Sequence, residues 1–257
     1  MPKPIVFISH ITEEKEFAEA VKTLIKKSYL GVVEVFASSD QDSIEAGSKW
    51  LNKVNDALKD CVIELVLCSE ISVKRSWINF EAGAGWIRDI PTIPVCHSGM
   101  QKGSLPVPLN SLQAVNLNDK DGINRIFSVI SKALEIDIPT PDLDAFIDEV
   151  KEKEARYTIG RDMRKFLDVI GGCEKALNML KSRPNEEIGL DLGSISVSDY
   201  DNIVKHITPS IKKYIKIEKR NPAVCFHGDN PVRSEIEIAV VISNKSEVIL
   251  LCENEII

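Results

Sequence analysis

The chain has 257 residues, 44% hydrophobic and 28% charged, with a net charge of −7; it is long enough to bury a core in one large or two smaller domains, and its acidic balance excludes a general attraction to nucleic acid or to an anionic membrane. The six cysteines stand singly at positions 61, 68, 96, 173, 225 and 252 without a CxxC pair, which reads as reduced thiols with no metal site in a cytoplasmic protein. No apolar run nears the ~20 residues that cross a bilayer, and Met1-Pro2-Lys3-Pro4 leads into a short apolar run rather than a signal peptide.

In chain order, Pro4 to Ser9 (PIVFIS) reads as a strand buried on both faces. Thr12 is a candidate cap for a helix carrying Phe17, Val21, Leu24 and Ile25 at helical spacing, stopped by Gly31. Val32 to Ala37 is a second strand, followed by the polar stretch Ser38 to Gly47 and an amphipathic helix with Trp50, Leu51, Val54, Ala57 and Leu58 on one side. Cys61 to Cys68 (CVIELVLC) is a third strand. Ile90 to Cys96 is a fourth, and its two prolines suggest an edge position or strand ends. Residues 97–111 read as a long loop, Leu112 to Leu117 as a fifth strand, and Asp119 to Leu134 as a helix facing inward through Ile123, Ile126, Phe127 and Ile130. This alternation of strands and helices predicts a three-layer α/β domain with a parallel sheet over residues 1–138. Its ligand crevice is expected outside the carboxyl ends of the strands.

Between the third and fourth strands, residues 76–86 (SWINFEAGAGW) place Trp77 and Glu81 one helical turn apart, with Gly85 a turn further on. Gly83 and Gly85 each cost about 0.5–1 kcal/mol relative to Ala within a helix. Their presence suggests that a neighbouring element or a ligand comes close to the backbone. Glu81 is then either a rim carboxylate on a packed helix or a charge held in a partly apolar niche.

After Ile138-Pro-Thr-Pro-Asp142, residues 143–257 read as a smaller α+β module. Two helices are expected over 143–157 and 162–181, with Gly160 near their junction. An extended segment follows near Ile188 to Val197, then a helix over 199–217 reaching at least Pro209. A terminal β-hairpin is expected from residues 234–242 and 247–252.

The first ~135 residues resemble a bacterial Toll/interleukin receptor (TIR) domain. The resemblance lies in Val6 to His10, in Phe36 to Asp40 leading to Gly47 and Trp50, and most specifically in Ser76-Trp77 followed by Glu81-Ala-Gly-Ala. It implies a flavodoxin-like five-strand parallel sheet. It also implies cleavage of the nicotinamide–ribose bond of NAD+, with NAD+ as substrate and no cofactor, to give ADP-ribose or a cyclic isomer. Glu81 aligns with the glutamate of the NAD-cleaving members and Trp77 with the tryptophan one turn before it. Such chemistry needs a carboxylate beside a sugar that turns cationic as its base departs. Ser9 and His10, at the end of the first strand, are candidate substrate contacts, as are Ser38, Asp40 and Trp50 around the loop after the second, and Trp77 either packs the niche of Glu81 or touches substrate. Ser39 and Ser43 are weaker candidates, and Arg88 and Lys74 are either phosphate contacts or surface charges. The resemblance further implies self-association, a role in antiphage defence and a messenger-activated effector as partner. Two other readings stay open: a non-catalytic TIR scaffold, and a nucleoside 2-deoxyribosyltransferase-like enzyme.

Overall fold

The computed structural model describes residues 3–38, 50–171, 176, 178–179, 182–183, 186–220, 224–227 and 230–243. In its N-terminal half the apolar runs form β1 (Ile5–Ser9), β2 (Glu34–Ala37), β3 (Cys61–Cys68), β4 (Thr92–Cys96) and β5 (Val115–Asn116). All pair in parallel in the order β2-β1-β3-β4-β5, the flavodoxin-like arrangement. Parallel neighbours require crossovers: the first three contain α1 (Lys15–Ser28), α2 (Trp50–Asp60) and α3 (Ser76–Ile87), the β4–β5 connection holds only 3-10 turns, and α4 (Lys120–Leu134) follows β5.

Successive strand side chains point to opposite faces of the sheet. Phe7 lies opposite Glu64, Glu64 opposite Thr92, and Cys68 opposite Cys96, so these residues share one face. On that face Val54, Ala57 and Leu58 of α2 pack with Phe7, while Ile78 and Ala82 of α3 pack with Val66, Cys68 and Cys96. Val6, Ile8, Ile63, Leu65 and Leu67 point the other way and are fully buried. Beyond the end of α1, the Tyr29 hydroxyl donates to the Phe127 carbonyl of α4 at 3.0 Å, joining those two helices.

Three local expectations differ. Thr12 lies in a short 3-10 turn, Thr12–Glu14, and no side chain caps it. β4 is not an edge strand but sits between β3 and β5. Pro94 is tolerated there because the His97 N–H donates to the Cys68 carbonyl. That phase turns the Pro94 nitrogen away from β3 and toward β5, which pairs only Val95 and Cys96. The fifth strand, expected over Leu112 to Leu117, is only the two residues Val115–Asn116, and a 3-10 turn at Leu109–Ser111 precedes it.

The chain divides into two compact units, Met1–Glu154 and Ala155–Ile257. The division falls within α5 (Asp144–Val169), a single helix of 26 residues where two were expected. Gly160 costs only about 1 kcal/mol within a helix, and Met163, Phe166 and Leu167 beyond it are buried in the core of the second unit. That unit continues with β6 (Glu187–Ser196), α6 (Val197–Lys205), β7 (Ile215–Arg220), β8 (Val224–His227) and β9 (Asn230–Ser243). β9 pairs antiparallel with β6 and β7 on either side and with β8 near its start. The helix expected over 199–217 is only α6: it ends at Lys205, ahead of Pro209, and the chain is extended again by Ile215. The first arm of the expected hairpin is part of β9, whereas residues 247–252 lie outside the described residues. Among the described residues no helix is long and apolar enough to cross a membrane.

Gly122 lets the first turn of α4 approach β5, since a Cβ there would stand 2.5 Å from the Asn116 carbonyl oxygen. A backbone atom cannot swing aside. Gly122→Ala is therefore expected to lower unfolding stability by about 1–3 kcal/mol despite the higher helix propensity of Ala, as measured by urea denaturation.

Candidate active site

α3 buries a stripe at helical spacing made of Ile78, Glu81, Ala82 and Gly85. Glu81 is thus carried into the interior by its apolar neighbours, and its carboxyl is fully buried. Both oxygens are bonded: Oε2 accepts from the Ser9 hydroxyl at 2.5 Å, and Oε1 accepts from Trp77 Nε1 at 2.7 Å. Ser9 is the last residue of β1, which puts the carboxyl at the strand ends where sheets of this topology keep their ligand crevice. The Trp77 ring stacks on Phe80 with centroids 5.4 Å apart, and this holds the indole donor in place. Burial pushes the Glu81 carboxyl up to about 7, against the hydrogen bonds from Ser9 and Trp77 that pull it down.

The other candidates fall into distinct groups. The buried His10 N–H donates to Ser38 Oγ at 3.1 Å, and the Ser38 hydroxyl lies 3.1 Å from the His10 carbonyl and 3.3 Å from its Nδ1. His10 and Ser38 thereby tie the ends of β1 and β2 together beside Ser9. Asp40, Ser39 and Ser43 lie outside the described residues, and Trp50 opens α2 without a described side chain. Arg88 is committed elsewhere: its guanidinium donates to the carbonyls of Leu58 and Cys61, locking the end of α3 to the α2–β3 junction. Lys74 is exposed. Among the described residues no group of three or more His, Cys, Asp or Glu side chains is placed to hold a metal ion.

Residues 6–127 match the family model of the TIR domain. The N-terminal half is a TIR domain. Among curated proteins none matches the chain significantly. A solved structure similar to this chain is that of the Clostridium botulinum CMP N-glycosidase BcmB, at 15% identity, covering 49% of this chain and 98% of that one with a TM-score of 0.34.

The TIR domain also holds an acid absent from the candidates drawn from sequence. Glu64 lies in the middle of β3 and is fully buried. Its Oε2 accepts from the Thr92 hydroxyl at 3.4 Å, and its Oε1 has no hydrogen-bond partner. Burial pushes this carboxyl up to about 8, with the nearby Glu81 adding to the rise and Thr92 and Arg88 opposing it. The signal was present in CVIELVLC, where one acid interrupts a run of apolar residues. A second buried polar pair in the TIR domain, Glu14 Oε1 and His97 Nε2 at 3.3 Å, joins the turn before α1 to the residue after β4.

A carboxyl whose pKa rises on folding holds its proton more tightly in the folded chain. Glu81 therefore contributes stability below its ordinary value of 4.5, and this contribution is lost as pH rises to about 7. Glu81→Gln is expected to flatten the fall in stability across that window by on the order of 2–3 kcal/mol, as read from urea unfolding at a series of pH values.

Proposed function

We propose that the TIR domain cleaves NAD+ at the nicotinamide–ribose bond, with Glu81 as its catalytic residue. The observation that carries this reading is the fixing of one buried carboxyl by Ser9 and Trp77 at the end of the parallel sheet. In the proposed reaction the C1′–N bond breaks, and its electron pair leaves with nicotinamide as a neutral base. The ribosyl carbon takes on positive charge, which the Glu81 carboxylate stabilises through space. Water then attacks that carbon and loses a proton to give ADP-ribose. Alternatively, the adenine base of the same molecule attacks and gives a cyclic isomer. No general acid is needed, because nicotinamide already departs from a cation. A carboxylate anchored by two donors loses little orientation when substrate binds. The proposal extends to self-association of the domains and to bacterial antiphage defence, by depletion of NAD+ or through a product that activates an effector protein.

The test is nicotinamide release from NAD+ by the purified full chain, followed by chromatography. Glu81→Gln is expected to reduce release by about 100-fold or more while leaving the circular-dichroism spectrum unchanged. The wild-type rate is expected to rise with pH through about 7, as the Glu81 proton is lost. Absence of release at high protein concentration would overturn the reading in favour of a scaffold. Base exchange on deoxynucleosides would favour a deoxyribosyltransferase-like enzyme instead.

A further inference from the structure

Glu64 takes no part in the cleavage described above, yet α3 is built around it. A Cβ on Gly85 would stand 2.0 Å from Glu64 Oε2 and 2.5 Å from Thr92 Oγ1. Gly85 follows Glu81 by one helical turn on the same buried stripe. The Glu64 carboxyl therefore occupies the hollow that a missing side chain leaves, directly beneath the turn that presents Glu81. On its neighbouring strands it faces Phe7 and Thr92, neither of which carries charge. The ionisable groups acting on it are Glu81 and Arg88 from α3 and Cys61 from its own strand. Arg88 makes its hydrogen bonds to Leu58 and Cys61 rather than to this acid. Without a bonded counter-ion, an ionised Glu64 would be an unpaired buried charge, whereas the neutral acid fills the hollow at little cost.

We propose that Glu64 is a positioning residue for Glu81: as a neutral acid seated on Gly85 it fixes the turn of α3 that carries Glu81, and the loss of its proton to solvent releases that turn. Its effect on turnover rests on the NAD+-cleaving reading, while its effect on α3 does not. Two titrations then bound the working range. Glu81 must be ionised and Glu64 must not be, so turnover rises through about 7 and falls again above about 8.

Two readouts on the full chain test this: nicotinamide release, and amide hydrogen exchange over residues 76–87 corrected for the intrinsic pH effect, each followed from about pH 6 to about pH 10. Wild-type α3 is expected to lose protection above about pH 8. In Glu64→Gln, which keeps the size and stays neutral, protection is expected to persist. The ratio of turnover at about pH 9.5 to that at about pH 7.5 should then rise at least ~5-fold over wild type. Unchanged wild-type protection across the range would overturn the proposal even if the variant failed to fold, and so would an alkaline loss that persists in Glu64→Gln. If neither protein releases nicotinamide but only wild type loses protection, the positioning role stands and the cleavage reading falls.

Discussion

The structure of the TIR domain depends on how one carboxyl is buried. Removing Glu81 from water is costly. The cost is offset by donors on two different elements: a hydroxyl at the end of β1 and an indole one turn earlier on its own helix. Ser9 lies 72 residues away in the chain, so this bond pins α3 to the far side of β3. The apolar neighbours Ile78 and Ala82 share the same stripe and anchor the helix against Val66, Cys68 and Cys96. Hydrophobic burial sets the depth of the helix, the Ser9 bond fixes its rotation against the sheet, and the Trp77 bond within α3 holds the carboxyl's orientation.

Given that rotation, the remaining features of the face follow. Gly85 must point at the sheet, and a residue with a side chain would collide there with Glu64 and Thr92. Arg88, three residues further on, reaches the Leu58 and Cys61 carbonyls and closes the other end of the helix. The outer side of α3 is left with Phe80 at 57%, Trp86 at 61% and Ile87 at 88% exposure. Two acids on one sheet face, both pushed above the ordinary carboxylate range, make this the place where protonation and structure are most closely linked.

The second unit solves a different packing problem. Its centre is β9, flanked antiparallel by β6 and β7, and Ile238, Val240 and Ile242 of that strand are fully buried with Ile188, Ile211 and Tyr214. Asp162 on α5 accepts hydrogen bonds from Thr208 at 2.9 Å and Ser210 at 2.6 Å, with Arg161 donating to its other oxygen at 3.0 Å. Those contacts fix the turn that leads from α6 into β7.

What the residues by themselves determined is the local part. Short continuous apolar runs and 3.6-residue spacing placed the strands and helices of the N-terminal half, and the four-residue step from Trp77 to Glu81 put an indole donor within reach of a carboxylate. The helix through Gly160 and the strand at Ile215 were not legible, because a glycine or a short β-branched run has weak preferences that packing overrides. Only the tertiary structure decided which distant groups meet: Ser9 with Glu81, Glu64 with Gly85, and Arg88 with the α2–β3 junction. Periodicity records which way a side chain faces within its own element. Its partner there is set by strand order and helix rotation, which emerge only when the whole sheet packs at once.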